Sequence, residues 1–383
     1  GAFGTGLTTG TDNVAIGENA GDALTTGSDN TFVGDEAGGA TTTGAQNTAI
    51  GEGALTTNST GSHNTALGRS ALLSATTADN NVAIGSGAMD TTTTGTQNVA
   101  IGKKAMDANT TGSYSVAVGY QALDGQTTAS NNTAVGWDAG SATSTGASNT
   151  FIGQNSGAAN TTANYNTAVG ALSLDANTDA SNNTAVGYQS LSDNTTGDRM
   201  VAVGTGALAA NSTADGNTAF GYRALNANTT AEVNTAVGFD AMLLNTTGHQ
   251  NTAVGAVALD ANTTGHNNTA LGYGALGANS TASNNTAVGW KSLDANTTGG
   301  SNVAVGVQAL FTNSTADNNI AIGMESLKVN DTGHSNVAIG FQAMVANTTG
   351  SENTALGHLA LDAATTADNN TAIGRLAGTG LTT

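Results

Sequence analysis

Residues 251–267 read NTAVGAVALDANTTGHN, and the next seventeen, residues 268–284, read NTALGYGALGANSTASN. Laid over one another, the two strings share Asn, Thr, Ala and Gly at positions one, two, three and five, Ala at eight and Leu at nine. The frame extends in both directions, from Asn13 to Asn370, as 22 copies without an insertion or deletion. Position five is Gly throughout, position eight is Ala or Ser, position two is Thr, Val or Ile, and position four is Val, Ile, Leu or, once, Phe220. Asn at position one is broken only by Ser115 and Met200.

A period held this strictly means that each repeat stacks on its neighbours and that an extra loop would break the stack. Seventeen residues are too few for the helical pairs of the common α-solenoids. The β-branched and aliphatic residues at positions two and four, with Gly at five and fifteen, read as short strands joined by turns. The sequence therefore predicts an all-β fold: a parallel β-solenoid, or β-roll, of about 22 coils. Parallel strands lie about 4.8 Å apart, so such a stack would span roughly 105 Å. The expected organisation is one continuous array over residues 1–383, with repeats from 13 to 383 and a partial coil at 1–12.

Alternation along a strand places positions two and four on one face and position three on the other. Position three is Ala in 20 copies and Phe at Phe32 and Phe151. In those two coils position nine, Leu or Met in 17 copies, is Gly38 and Gly157, and the preceding coils carry Gly21 and Gly140 there. A ring has replaced the volume of two Leu side chains, as constant-volume packing requires. Positions three and nine therefore share the interior. Positions two and four then face outward as a stripe larger than soluble monomers leave uncovered. Identical chains meeting in register about a symmetry axis would cover it, which predicts a homotrimer with Val186, Val203, Val237, Val254 and Val288 among its seam residues. A wider single-chain solenoid with both residue sets inside is the alternative.

The run Asn-[Thr/Val]-Ala-[Val/Ile]-Gly, as in Asn98–Gly102 and Asn336–Gly340, resembles the NSVAIG-type repeat of the YadA-like heads of trimeric autotransporter adhesins. The string NTAVGYQAL followed by NTTG also resembles repeat arrays in phage-like tail fibre proteins. The resemblance covers residues 13–374 and implies a left-handed β-roll assembled as a trimer, although the adhesin coil is usually shorter than this one.

Composition limits function as well. Only 9% of the residues are charged, with 8 basic and 27 acidic side chains, and the net charge of −19 disfavours nucleic acid and anionic membranes. The chain has no Cys, which excludes disulfides and thiolate metal sites. No apolar run is long enough to insert into a membrane. The five His residues, His63, His249, His266, His334 and His358, are scattered over separate coils, and only His249 and His266 are in consecutive ones. Aspartates gather at position ten (Asp90, Asp107, Asp124) and at sixteen (Asp79, Asp215, Asp317), one per coil, too sparse for a dense calcium cage. No catalytic, cofactor or metal site is expected, and the chain reads as a non-enzyme. Position twelve is Asn in 14 copies, 13 of them opening Asn-x-Thr; either these are glycosylation acceptors or their amides form a coil-to-coil ladder, and the ladder is favoured. Position six varies most and holds eight of the 15 aromatic residues: Tyr120, Trp137, Tyr188, Tyr222, Phe239, Tyr273, Trp290 and Phe341. That edge is the candidate for recognition, by stacking on sugars or another surface.

The expected function is the structural, adhesive shaft of an extracellular fibre on a cell surface, in a secreted filament or on a virion. Its partners would be copies of itself, as a homotrimer or a head-to-tail filament, and a cell-surface or glycan receptor. The alternatives are an ice-binding solenoid, from the Thr-Thr pair at positions thirteen and fourteen, and a self-polymerising surface filament or surface-layer component. The hexapeptide GTGLTT at Gly4–Thr9 recurs at Gly378–Thr383 in the same phase, which predicts that the chain is a segment of a longer array or stacks end to end.

Overall fold

The computed structural model describes residues 8–382; residues 4–7 of the first GTGLTT and Thr383 of the second lie outside them. The chain is an all-β parallel solenoid with seventeen residues per turn. Its contacts divide it into two units, Gly1–Thr196 and Gly197–Thr383. The first holds eleven three-residue strands, from β1 (Val14–Ile16) to β11 (Thr184–Val186), and the second eleven more, from β12 (Val201–Val203) to β22 (Thr371–Ile373). Within a unit each strand pairs in parallel with the next in sequence at a constant shift of one repeat. Thus Val14, Ala15 and Ile16 face Thr31, Phe32 and Val33, and Thr235 faces Thr252.

Only positions two to four are strand. The rest of the coil is turn, yet its backbone is still hydrogen-bonded to neighbouring coils. The N–H groups of positions nine, eleven and thirteen donate to the next coil, as in Leu55 to Ala71, Thr57 to Leu73 and Thr25 to Thr42. Those of five, seven and seventeen donate to the preceding one, as in Gly34 to Ile16, Glu36 to Glu18 and Asp29 to Thr11. An insertion would break several of these bonds at once, which explains the strict period.

Gly at position five adopts φ between +126° and +144° in all its copies. In the stacked coils a Cβ there would meet the backbone of the next coil's Gly, at 2.7 Å from the carbonyl carbon of Gly85 in the case of Gly68. No side chain fits that approach. Positions seven, nine and seventeen are also left-handed, at non-glycine residues such as Gln121 (φ 53°), Leu123 (φ 52°) and Asn131 (φ 62°). A left-handed residue with a Cβ costs about 1–2 kcal/mol, whereas burying Leu contributes about 1.5–3 kcal/mol. Interior packing therefore prevails at position nine. Position seventeen is exposed and has no such compensation, and Val233, β-branched at φ 58°, is the poorest fit. Replacing it with Asn, which tolerates this region, should raise the unfolding free energy by about 1 kcal/mol. A lower denaturant midpoint for Val233→Asn would contradict this account.

The interior is as narrow as the Ala column implies. Ala49, Leu55, Ala66 and Leu72 are fully buried, as are Phe32 and Phe151. A Cβ on Gly140 would lie 2.6 Å from Cδ2 of Phe151, and one on Gly157 would also overlap that ring. The expected exchange of two Leu side chains for one ring is what the structure shows. Positions two and four lie outside, so a wider solenoid enclosing both sets is ruled out: every strand pairs a buried or half-buried centre with more exposed flanks.

Two columns of buried Asn complete the core. At position one, Asn47 Nδ2 donates to Asn30 Oδ1 (3.2 Å) and to the Gly61 carbonyl (2.9 Å), while its N–H donates to the same Oδ1. At position twelve, Asn262 Nδ2 donates to Asn245 Oδ1 (2.7 Å) and to the Gly265 carbonyl (3.0 Å). The position-twelve asparagines are fully buried. From Asn160 to Asn347 they form the ladder, and in the folded chain none of the fourteen has room for a glycan. The break at Ser115 is repaired within its own coil: position twelve there is Gln126, whose longer side chain donates to Ser115 Oγ (3.4 Å) and accepts from Asn132 (3.0 Å).

Candidate functional site: the outward strand face and the position-six edge

The strand face carries position four outward in every coil. Ile16 is 60% exposed and Phe220 55%, and the seam candidates Val186, Val203, Val237, Val254 and Val288 are half-buried. Thr and Val at position two flank them. Each unit therefore presents a regular apolar column with no side chain of its own folded over it.

The eight aromatic residues at position six are all exposed. Two of them, Tyr222 and Phe239, stack on each other with centroids 5.5 Å apart, and Phe341 stacks on His358 at 5.2 Å. In these pairs one face of each ring is covered by the other. Arg223 lies over Tyr222 and Lys291 over Trp290. A continuous run of open ring faces, the simplest form of the recognition edge, is therefore not present in those coils.

Charged groups lie mainly beside that edge. Lys104 pairs with Asp107 (3.4 Å), Lys291 with Asp294 (3.5 Å), Lys328 with Glu325 (2.7 Å) and Arg223 with Asp240 (2.5 Å). At position ten, burial and then the charge of Asp107 push the Asp90 carboxyl up, with Lys104 opposing, and burial does the same for Asp175 and Asp260. The hydrogen bond from Lys328 holds Glu325 down. Position-sixteen aspartates do more than solvate the surface: Asp79 and Asp317 each accept the backbone N–H one coil back, at 2.6 Å. Ser62 and Ser130 do the same through their hydroxyls. The sequence signal was the restriction of this position to short acceptors in many coils.

His249 and His266 come within 5.0 Å, ring to ring, but no group of three His, Asp or Glu able to hold a metal ion occurs among the described residues. The two side chains of the Thr pair diverge, as those of adjacent residues in extended backbone do. Position-thirteen hydroxyls donate to the next coil's carbonyl, as in Thr25 to Thr42 (2.9 Å), whereas position-fourteen threonines such as Thr43 and Thr94 are exposed. No helix of the described chain is long and apolar enough to cross a membrane. No protein-family model and no curated protein matches the chain.

Proposed function

We propose that the chain is a non-catalytic shaft segment of an extracellular fibre, assembled as a homotrimer through the outward face of positions two and four. The observation that carries this reading is the uninterrupted apolar column at position four within each unit, aliphatic except at Phe220 and including Ile50, Leu67, Ile84 and Ile101 in consecutive coils. Exposed apolar area repeated at every coil needs a cover, and an identical column supplies one in register at every level. Attachment would act by avidity, with many weak contacts along one body raising the effective concentration of each. The ice-binding alternative has less to rest on, because the position-thirteen hydroxyls are engaged in the backbone ladder; an ice-recrystallisation assay separates it.

Light scattering of the intact chain tests the assembly, with three times the 37.2 kDa chain mass expected. Val186→Asp with Val203→Asp should loosen the seam, since each unpaired charge in an apolar contact costs several kcal/mol. A monomeric particle before any substitution overturns the trimer.

A further inference from the structure

The first six coils carry Glu18, Asp35, Glu52, Arg69, Ser86 and Lys103 at position six. All six side chains are exposed or half-exposed, and none forms an ion pair among the described residues. This stands out against the rest of the chain, where Lys104, Arg199, Arg223, Lys291 and Lys328 are each paired with a carboxylate. The three remaining cations, Arg69, Lys103 and Arg375, all sit at position six. At position six the two signs are segregated along the first unit, with carboxylates in the first three coils and cations in the fourth and sixth, while Asp90 and Asp107 lie beside Arg69 and Lys103 at position ten.

We propose that this edge is a self-complementary interface through which two copies of the chain pair antiparallel. A two-fold axis between the third and fourth coils brings Glu52 to Arg69 of the second copy, Asp35 to Ser86, and Glu18 to Lys103, and the same contacts recur on the other side of the axis. Four ion pairs and two hydroxyl–carboxylate contacts result, with no like charges opposed at position six. Coils rise by about 4.8 Å on both edges, so the pairs stay in step. The register is specified. A slip of one coil in either direction sets Glu52 on Glu52 or Arg69 on Arg69 at the axis, and a parallel arrangement in register opposes every charge to itself. The aliphatic seam lies on other residues, so this pairing goes beyond the fibre reading and would link one shaft to another.

Sedimentation at low ionic strength tests it, because exposed pairs are screened by salt. Wild-type chain should associate beyond its seam assembly, and both Arg69→Glu/Lys103→Glu and Glu18→Lys/Glu52→Lys should weaken that step by about tenfold or more. An equimolar mixture of the two variants should recover it, since acidic and basic edges then meet. The chain has no native Cys, so Glu52→Cys mixed with Arg69→Cys should form the mixed disulfide in preference to either like pair. The seam substitutions Val186→Asp and Val203→Asp should leave that disulfide intact, which separates failure of the edge from failure of the trimer. Absence of salt-sensitive association, a mixture that stays apart, or dominant linkage between two copies of the Glu52→Cys chain overturns the proposal. So does alginate binding that needs Arg69 and Lys103 in a chain that does not self-associate, because the cations would then belong to an acidic glycan.

Discussion

Leucine installed at both Gly140 and Gly157, with Phe151 kept, should destabilise the first unit by about 1–3 kcal/mol or more, because the added side chains have no space that the ring does not already fill. Backbone strain is not the reason. Gly140 and Gly157 sit at φ 60° and 59°, close to the 52° at which Leu123 is accommodated in the coil before Gly140. The obstacle is Phe151 itself, whose ring overlaps a Cβ at either glycine. Phe151→Ala alone should also be costly, by about 3–5 kcal/mol, since it leaves a cavity between two coils that lack Leu. The triple variant carries Ala at position three and Leu at position nine, the arrangement of most other coils, and should recover most of the loss. That non-additivity is the signature of a shared volume. Denaturant midpoints of the four proteins check it; if the leucine pair leaves the midpoint unchanged with Phe151 in place, the interior is not the close-packed space described.

The period and the coil were legible from exact repetition, and the inward face from a covariation inside one chain: Phe32 with Gly38, and Phe151 with Gly140 and Gly157, report shared volume directly. Position five was legible because Gly appears there without exception. Less visible was the reason for Leu at position nine, since a Leu at positive φ contradicts local preference and is explained only by burial. Ser115 read as a simple break in the Asn column. Its partner Gln126 lies in the same coil and carries the complementary change in length, the same kind of exchange as Phe for Leu, but in hydrogen-bonding reach. The roles of the outer face were legible only as patterns: the alternation placed position four outside, while the stacking of Tyr222 on Phe239 depends on side-chain rotation that residue spacing does not encode.

Asn262→Leu should cost about 2–4 kcal/mol, whereas Asn58→Leu at the same repeat position should cost much less. The difference lies in what each amide supports. Asn262 donates to Asn245 Oδ1 (2.7 Å) and accepts from Asn279 Nδ2 (3.0 Å), so its removal leaves a buried carbonyl without a donor and takes one partner from a buried amide. The Gly265 carbonyl keeps a second donor in Asn251 (2.8 Å) and adds nothing to the loss. Asn58 is placed otherwise. Its neighbours at position twelve are Thr41 and Ala75, its Oδ1 has no partner, and its one side-chain bond goes to the Gly61 carbonyl, which Asn47 also serves. Apolar replacement there removes an unsatisfied oxygen and orphans nothing, so an effect near zero is expected. Leu24 shows that an aliphatic residue is tolerated at this position in the first coil. If the ladder acts by satisfying buried amides in sequence, the two substitutions must differ in this order by urea denaturation. Equal losses would mean that Asn is retained at position twelve for its shape, with the coil-to-coil hydrogen bonds contributing little.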